Sequence, residues 1–355
     1  MKRGGQVTVG MDPADRGVAA MRRALALAST VRGRTSPNPP VGAVILDAQG
    51  ALVGEGATQP AGGPHAEAVA LLAAGEAARG ATVYVTLEPC AHTGRTGPCA
   101  DALIAAGVAR VVYALDDPNV VAAGGATRLG VAGVEVVPGL LAEEAARGAI
   151  RPWLHSLAAG RPFVTWKCAN TLDGRVAAAD GTSRWISSAI SRADAHALRS
   201  VVDAIVVGSG TVLADDPQLT ARGQDGERLD RQPLRVVLDR RHRLPPHARV
   251  LDDAAETLIL DTAVPRFALK ALYDRGVRHV LLEGGPTLAG AFVEAECVDE
   301  VIVYLAPRLL GAGPVALLDA GVGTVADAIT LEFDEVIRLG PDIKITARPI
   351  WSEEE

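Results

Sequence analysis

The stretch that decides the fold of the first half of the chain is Thr86-Leu87-Glu88-Pro89-Cys90-Ala91-His92-Thr93-Gly94-Arg95-Thr96-Gly97-Pro98-Cys99. It carries two of the four cysteines, and each of these two directly follows a proline. The β-branched run over residues 82–86 predicts a strand that leads into this stretch. Pro98 is placed to begin a helix over residues 99–106, and Gly107 is placed to end it. The stretch is therefore a loop between the carboxyl end of a strand and the start of a helix.

A zinc site is predicted from three side chains in and near this loop. His65 lies about twenty residues upstream, and together with Cys90 and Cys99 it supplies three ligands. A catalytic zinc has three protein ligands and a water in the fourth position. The helix start at Pro98 puts Cys99 at the positive end of the helix dipole, which favours the thiolate. Glu67 is left free to take a proton from the water and hand it to a leaving amine.

Two other interpretations of the loop are open at this point. The zinc could be structural, with His92 as its fourth ligand, or the two cysteines could be buried thiols without a metal. His92 could instead face a substrate. The two remaining cysteines, Cys168 and Cys297, fall in a predicted strand and at a predicted helix end, and we expect both to be buried and structural.

Outward from the loop, strands and helices alternate through residues 12–150. Asp12 before Pro13 marks the start of a helix that runs to about residue 30, and residues 1–11 are predicted to be an N-terminal extension. The proline-rich segment 35–40 predicts a stiff loop that offers the Asn38 amide to a ligand, although a plain linker is also possible. The alternation indicates a largely parallel sheet that binds ligands at the carboxyl ends of its strands.

A change in composition marks a second domain. Residues 151–160 are predicted to be a linker, and a new pattern of strands and helices fills residues 161–355. Within it, Glu283-Gly284-Gly285-Pro286-Thr287 combines a strand end, a glycine turn and a helix start. Backbone amides at such a helix start suit a phosphate, although a sequence of this kind is more often only a turn. The segment 211–217 is predicted to be a polar loop at another strand end.

Composition argues against several classes of protein. Of the 355 residues, 48% are hydrophobic and 3% are aromatic, so the cores are built mainly from aliphatic side chains. The net charge of −7, with both signs interspersed, argues against a nucleic-acid-binding protein. No run approaches the roughly 18 apolar residues of a membrane span, and the N-terminus lacks the apolar core of a signal peptide. Four cysteines do not make a disulfide framework, so we expect a cytoplasmic protein without membrane or nucleic-acid partners.

Two family resemblances rest on these motifs. His65-Ala66-Glu67, followed by Pro89-Cys90 and a second cysteine, resembles the cytidine deaminase superfamily, in which the two cysteines usually stand two residues apart. Here eight residues intervene between Cys90 and Cys99. That spacing, together with the sequences of residues 88–96 and of Thr35-Ser36-Pro37-Asn38-Pro39, closely resembles the RibD family of bifunctional riboflavin-biosynthesis proteins. The resemblance covers essentially the whole chain from about residue 12.

The resemblance implies a fold and a reaction for each half of this α/β chain. The first domain would have a cytidine-deaminase-like three-layer α/β/α fold. With one zinc ion it would deaminate 2,5-diamino-6-ribosylamino-4(3H)-pyrimidinone 5′-phosphate. The second domain would have a dihydrofolate-reductase-like α/β fold and would use NADPH to reduce the ribosyl group of 5-amino-6-(5-phosphoribosylamino)uracil. Both substrates are pyrimidine ribosyl phosphates, and the family's reductase domain tends to pair with itself, which implies a homo-oligomer, either a dimer or a tetramer.

The resemblance also assigns roles to residues that match the family's motifs. Lys167 is the candidate for polarising the sugar or relaying a proton, and Arg199 and Arg222 are placed to grip a phosphate. The expected substrate contacts are Asn38, His92, Ser183, Arg199, Leu219, Arg222 and Glu283. The expected cofactor contacts are Ala169, Trp185, Thr211, Asp215, Gly285, Pro286, Thr287, Leu288, Ala289, Gly290 and Ala291. Plainer interpretations are open for two of these residues, Trp185 as part of a core and Arg199 as a solvated helix residue.

The chain departs from the family at four positions. Thr58 and Pro60 stand where the family usually has a histidine and a basic residue, and Val120 and Gly125 stand where it usually has a proline and a lysine. We expect these departures to change substrate contacts of the first domain and to leave its zinc chemistry intact.

Two other functions are compatible with the sequence. A nucleoside or nucleic-acid deaminase would share the zinc ligands without needing a second domain, and a non-catalytic binding protein would use zinc only for stability.

Overall fold

The chain forms two compact units, residues 1–158 and 159–355. The computed structural model describes residues 12–92, 97–223 and 225–351. The predicted extension 1–11 and the motif residues 93–96 therefore lie outside the described residues. Among the described helices, none combines the length and the apolar character that crossing a membrane requires.

The first unit is built from six helices and five strands within its described residues. Its strands are β1 Gly42–Leu46, β2 Leu52–Ala57, β3 Thr82–Leu87, β4 Arg110–Leu115 and β5 Glu135–Pro138. Its helices are α1 Pro13–Thr30, α2 Ala66–Ala74, α3 Cys99–Ala106, α4 Gly125–Val131, α5 Ala142–Arg147 and α6 Arg151–Ala159.

The first unit has the predicted three-layer α/β/α arrangement. Its sheet has the order β2-β1-β3-β4-β5, with β3, β4 and β5 parallel and the β1 pairings antiparallel. Alternate residues along each strand pack on opposite faces. One face buries Ile45, Val83 and Val111 against α2 and α3, and the other buries Val44 and Tyr84 against α1 and α5.

Local sequence signals set the ends of the helices. The Asp12 side chain accepts a hydrogen bond of 3.0 Å from the Ala14 amide at the start of α1, as the capping pattern predicts. Gly107 ends α3 in the left-handed conformation, with a φ of 70° that glycine adopts without strain. Both features confirm the predicted boundaries of these two helices.

The second unit contains a larger sheet. Its strands are β6 Phe163–Thr171, β7 Ala204–Gly208, β8 Leu234–Leu238, β9 Thr257–Leu260, β10 His279–Leu282, β11 Glu300–Ala306, β12 Thr330–Leu339 and β13 Asp342–Ile350. Its helices are α7 Ala189–Ser200, α8 Ser209–Asp215, α9 Pro265–Asp274 and α10 Pro286–Glu294.

The strand order of this sheet is β12-β13-β11-β6-β10-β7-β8-β9. The six strands from β11 to β9 are parallel to one another, and the hairpin of β12 and β13 is added antiparallel at the edge of the sheet. Phe292 of α10 and Leu269 of α9 are fully buried on one face, whereas Val212 and Val250 pack on the other. The carboxyl ends of the parallel strands therefore meet at one edge, beside the starts of α8 and α10.

Two sequence predictions need correction. The segment 151–160, predicted as a linker, is largely the helix α6, and its Trp153 is buried in the core of the first unit. The segment 211–217, predicted as a polar loop, lies mostly in α8, which begins after Gly208 and buries Val212. In α6, Trp153 packs into the core together with the partly buried Leu154 and Leu157, whereas in α8 the buried apolar residue is Val212. Both helices are short, so neither produces a recognisable helical period in the sequence.

Gly42 is a point at which the first unit tolerates no side chain. A Cβ atom at this position would lie 2.0 Å from the Ala24 carbonyl oxygen, because α1 crosses directly over β1. We predict that Gly42→Ala lowers the free energy of unfolding by about 3 kcal/mol, at the upper end of the range for overpacking. The measurement is a urea or thermal unfolding curve. Gly130→Ala is the matched control, because a Cβ at Gly130 of α4 meets no atom within 4 Å. Equal unfolding midpoints for the two variants would contradict the prediction.

Candidate functional site

The three predicted zinc ligands converge in the first unit. His65 precedes the first residue of α2, Cys90 lies just beyond β3, and Cys99 is the first residue of α3. Their ligand atoms all lie within 4.8 Å of one another. The Cys99 amide donates a hydrogen bond of 3.3 Å to Cys90 Sγ, so the start of α3 is directed at the cluster. The fold therefore collects the three ligands at the carboxyl end of β3.

The size of this cluster fits zinc. His65 Nδ1 lies 3.6 Å from Cys90 Sγ and 3.3 Å from Cys99 Sγ. Tetrahedral zinc with bonds of about 2.3 Å to sulfur and about 2.0 Å to nitrogen separates these atoms by about 3.5 Å. Hydrogen bonds from the Cys99 thiol and from His65 lower the pKa of Cys90, which favours the thiolate that zinc requires. The cluster does not include His92, which argues against a closed structural site with four protein ligands.

Glu67 lies beside the cluster, in the first turn of α2, and its side chain is only 4% exposed. Burial raises the pKa of the Glu67 carboxyl to about 7. A carboxyl group with a pKa near the working pH can both accept and release a proton. The position and the raised pKa of Glu67 are compatible with the general acid–base role, which stays a prediction.

Glu88 is a structural residue of this site that the sequence did not single out. Its buried carboxylate accepts hydrogen bonds from the amides of Gly124 and Ala126, at 3.1 and 3.0 Å, and from the amide of Asp117 at 3.3 Å. These bonds fix the segment between β4 and α4 against the cysteine loop. The available signal was an acidic residue at the end of a buried strand, next to Pro89.

The structure brings Asn38 and His92 to defined positions without testing their predicted role. Thr35 Oγ1 donates a hydrogen bond of 2.9 Å to the Asn38 carbonyl, and Trp153 Nε1 donates one of 3.1 Å to the Pro37 carbonyl. The loop around Asn38 is therefore held on both sides. His92 Nδ1 is buried and has no hydrogen-bond partner within the described part of the chain. A buried polar atom of this kind fits a side chain whose partner is a ligand.

Two of the four departures from the family have a physical explanation. Thr58 is 3% exposed and its hydroxyl accepts a hydrogen bond of 3.1 Å from the Val41 amide, so it closes the end of the β1–β2 pair. A Cβ at Gly125 would lie 1.7 Å from the Pro89 carbonyl oxygen, so this backbone has no room for a lysine. Val120 is 92% exposed, and Pro60 is also exposed.

Three charged residues meet in the second unit, where the carboxyl end of β10 lies beside the middle of β6. Glu283 follows β10 directly, and the parallel register, which pairs Leu282 with Trp166, brings it level with Lys167. Lys167 Nζ lies 3.2 Å from Glu283 Oε2. Arg199 of α7 binds the same carboxylate with two donors, at 2.6 and 2.9 Å. The interpretation of Arg199 as a solvated helix residue is therefore wrong, because its side chain is only 16% exposed.

The charges of this cluster compensate one another. Burial by itself would raise the pKa of Glu283, but Arg199 and Lys167 outweigh it and hold that pKa well below the usual range. Glu283 is therefore ionised at neutral pH and cannot donate a proton. Lys167 and Ala169 lie on the same face of β6, two residues apart, so the predicted catalytic and cofactor residues share one surface.

The predicted cofactor segments also meet at the start of α10. The Gly285 amide donates a hydrogen bond of 3.1 Å to Thr211 Oγ1, which joins the beginnings of α8 and α10. Asp215, at the end of α8, accepts a hydrogen bond of 3.4 Å from the hydroxyl of Ser183. The amides of Leu288 and Ala289 donate to the Gly285 carbonyl, so what the start of α10 offers a phosphate of a dinucleotide is the positive end of the helix dipole. The residues present thus fit NADPH at this edge of the sheet.

Trp185 is 59% exposed, so its interpretation as a core residue is wrong. The Arg192 guanidinium lies 4.3 Å from the centre of the Trp185 ring, and the Trp185 carbonyl accepts a hydrogen bond of 2.9 Å from Arg308. An exposed tryptophan that is fixed in place is a suitable surface for a ligand ring.

Not all of the segment 285–291 is open to a ligand. The segment is the start of α10 rather than a turn, and Thr287 is its exposed member. Ala289 is fully buried, and a Cβ at Gly290 would lie 1.6 Å from the Leu318 carbonyl oxygen. The side-chain positions of these two residues therefore serve packing. Pro286, Leu288 and Ala291 are partly buried.

The pairing within the charged cluster predicts a pH dependence. Glu283→Gln leaves Lys167 and Arg199 without a counter-charge and should lower the free energy of unfolding at pH 7 by about 3 kcal/mol. Because the pKa of Glu283 is lower in the folded than in the unfolded protein, its contribution is complete above about pH 5 and is lost as the pH falls below about 4. The stability gap between wild type and variant, measured by denaturant unfolding, should therefore stay constant from pH 7 to about pH 5 and narrow as the pH falls below about 4. Glu335→Gln, at an exposed glutamate of β12, is the control. A gap that does not change with pH would refute the assignment.

Comparisons with known proteins agree with this geometry. Residues 16–115 match the family described as the cytidine and deoxycytidylate deaminase zinc-binding region. Residues 162–345 match the family described as the RibD C-terminal domain. The two matches cover the two sites described above, one in each unit.

Relatives match over nearly the whole chain. The riboflavin biosynthesis protein RibD of Mycobacterium tuberculosis is 53% identical over 92% of this chain and 96% of its own length. The Escherichia coli protein of the same name is 43% identical over 91% of this chain and 96% of its own. The solved structure of Acinetobacter baumannii RibD superposes with a TM-score of 0.87 at 38% identity, over 95% of this chain and 99% of that one. The chain therefore belongs to the RibD family of bifunctional riboflavin-biosynthesis enzymes, which join a zinc-dependent deaminase domain to an NADPH-dependent reductase domain.

Proposed function

We propose that the chain catalyses two successive reactions on one pyrimidine ribosyl phosphate. The first domain hydrolyses the ring amine of 2,5-diamino-6-ribosylamino-4(3H)-pyrimidinone 5′-phosphate and releases ammonia. The second domain reduces the ribosyl group of 5-amino-6-(5-phosphoribosylamino)uracil with NADPH. A related Thermotoga maritima protein, 34% identical over 95% of this chain, is described as a diaminohydroxyphosphoribosylaminopyrimidine deaminase and 5-amino-6-(5-phosphoribosylamino)uracil reductase. The observation that carries the proposal is the presence of both constellations, His65–Cys90–Cys99 and Lys167–Glu283–Arg199, on one chain.

In the deaminase domain, His65, Cys90 and Cys99 hold zinc, which when bound supplies an activated water for hydrolysis. Glu67 accepts a proton on its carboxylate and delivers it to the leaving amino group. Its burial and raised pKa support this role. Asn38 and His92 contact the substrate, a role supported by the anchored Asn38 loop and the unpartnered His92 Nδ1.

In the reductase domain NADPH supplies the hydride, and the protein supplies position and charge. Lys167 polarises the sugar or relays a proton, and its ion pair with Glu283 holds it in place. The other substrate contacts are Ser183, Arg199, Leu219 and Arg222. The cofactor contacts are Ala169, Trp185, Thr211, Asp215 and the segment 285–291. Because Nε and Nη2 of Arg199 bind Glu283 and its Nη1 binds the Thr220 carbonyl, Arg222 is the arginine that we assign to the phosphate.

We assign the deaminase to residues 12–150 and the reductase to residues 161–355. A homo-oligomer is also proposed, because β12 lies at the edge of the sheet with Leu331, Phe333 and Val336 exposed. We further propose a cytoplasmic location, because all four cysteines are free.

The deaminase proposal predicts separate effects for ligand and proton-transfer residues. Glu67→Gln should retain zinc but lose about 10²–10⁴-fold in the rate of ammonia release, the range of general acid–base catalysis. Cys99→Ala should lose both zinc and ammonia release, whereas Cys168→Ala should keep both. Metal analysis and an ammonia assay make these measurements. Ammonia release by Glu67→Gln at the wild-type rate would rule out the assignment.

The reductase proposal predicts that a substitution in the second domain affects NADPH oxidation and leaves ammonia release unchanged. Arg222→Ala should raise the KM for the phosphorylated uracil substrate at least about tenfold, because it removes one charge-assisted hydrogen bond to the phosphate. It should leave the rate of ammonia release unchanged. NADPH oxidation, followed by absorbance with the deaminated substrate, gives the KM. Arg228→Ala is the matched control, because Arg228 pairs with Arg222 through the backbone and its side chain is exposed. An unchanged KM in Arg222→Ala would overturn the substrate mapping.

A further inference from the structure

A chain of polar groups leads from the buried Arg235, in the core of the second unit, to the partly exposed Arg222. We call Arg235, Asp252, Gln218 and Arg222 the Arg235 network. Arg235 of β8 is completely buried, and its Nη1 donates a hydrogen bond of 2.7 Å to Asp252 Oδ1. Gln218 Nε2 donates one of 2.6 Å to Asp252 Oδ2, and Arg222 Nη2 donates one of 2.8 Å to Gln218 Oε1. Every link between the buried guanidinium and the proposed phosphate-binding one is thus a hydrogen bond.

The chemistry of the network allows only one orientation of Gln218. A carboxylate can only accept hydrogen bonds and a guanidinium can only donate them. The amide nitrogen of Gln218 must therefore face Asp252, and its oxygen must face Arg222. A second bond of 2.9 Å, from Arg222 Nη1 to the Gly226 carbonyl, fixes the plane of the guanidinium. A guanidinium has five donor hydrogens, so these two bonds do not exhaust it.

The segment that carries Arg222 is held on several sides. The Arg249 amide donates a hydrogen bond of 2.8 Å to Asp216 Oδ1, and Arg235 Nη1 donates one of 3.2 Å to the Gln218 carbonyl. Arg199, which binds Glu283, also donates one of 3.2 Å to the Thr220 carbonyl. The segment is therefore tied directly to the charged cluster at Lys167 and Glu283.

Stability alone does not explain a fully buried arginine. Removing a guanidinium from water costs several kcal/mol, and apolar replacements of buried ion pairs are often neutral or stabilising. The two Nη atoms of Arg235 instead donate to the loop 249–255 and to the Gln218 carbonyl. What it fixes is the direction in which Gln218 presents its oxygen to Arg222.

We propose that Gln218 is a positioning residue of the reductase, which Asp252 and Arg235 orient so that Arg222 meets the phosphate of the substrate. The inference rests on the proposed function, since it takes Arg222 as a phosphate ligand. Gln218 acts through Arg222 and does not itself touch the reacting atoms. Its effect should therefore appear in the KM for a phosphorylated substrate and not in kcat.

The first arm of the test removes the link. Gln218→Met, which keeps the length of the side chain, should raise the KM for the phosphorylated uracil substrate about tenfold with kcat within about twofold of wild type. The same substrate without its 5′-phosphate should show no change in KM. In the background of Arg222→Met, which by itself raises the KM, adding Gln218→Met should have no further effect.

The second arm restores the link with exchanged groups. The double variant carries Gln218→Glu and Asp252→Asn. The new carboxylate at position 218 accepts a hydrogen bond from Arg222. The new amide at position 252 donates one to that carboxylate through its nitrogen and accepts one from Arg235 through its oxygen. The number of charges is unchanged, so the KM should return to within about threefold of wild type. Gln232→Leu is the comparator, because Gln232 bonds the main chain of Ala221 without contacting Arg222. It should lower the melting temperature and affect the two substrates equally.

The outcomes separate the two proposals. An unchanged KM in Arg222→Met would remove the proposed phosphate ligand itself, and the positioning role with it. If Arg222→Met raises the KM but Gln218→Met does not, or raises it equally for the dephosphorylated substrate, the function stands and the positioning role is refuted. A folded double variant that fails to recover would also refute it.

Discussion

The parallel register of neighbouring strands is the constraint on which both sites depend. In the second unit, pairing of Leu282 with Trp166 sets Glu283 beside Lys167, although the two residues are far apart in the sequence. In the first unit, β3 and β4 end level with each other, and the Glu88 amide donates to the Leu115 carbonyl at 2.8 Å. A register shift of one residue would turn each of these side chains to the opposite face of its sheet. The sites are therefore consequences of strand pairing before they are consequences of loop sequence.

The starts of helices supply further residues of both sites. Cys99 is the first residue of α3, and His65 and Gly285 directly precede the first residues of α2 and α10. The unpaired amides of a first helical turn carry partial positive charge, which stabilises thiolates in one unit and suits a phosphate in the other. The same arrangement of strand end and helix start therefore occurs at the metal-ligand cluster and at the site that we assign to the dinucleotide. What differs is the side chains placed on it.

The zinc ligands could be predicted from sequence because donor type and spacing are local properties. The group formed by Lys167, Glu283 and Arg199 could be assigned only by resemblance, because its members come together through the sheet. Gln218 was not identified at all, since its role depends on a carboxylate 34 residues away that has no local signature. Gly125 illustrates the same limit: its need for a bare backbone comes from the Pro89 carbonyl on another segment. Local chemistry is thus readable from the sequence, whereas contacts between distant segments are not.

Buried charge is used differently in the two units. The first unit concentrates His65, two cysteines and Glu67 around one point, where a metal ion would compensate the thiolates. The second unit compensates its buried charges internally, pairing Glu283 with two cations and Arg235 with Asp252. Since burying such ions stabilises a fold only weakly, their value lies in the fixed direction of their hydrogen bonds. In a reaction whose chemistry belongs to the cofactor, fixed direction is the main contribution that a protein can make. The internal ion network of the second unit is therefore best understood as part of how the reductase holds its substrate.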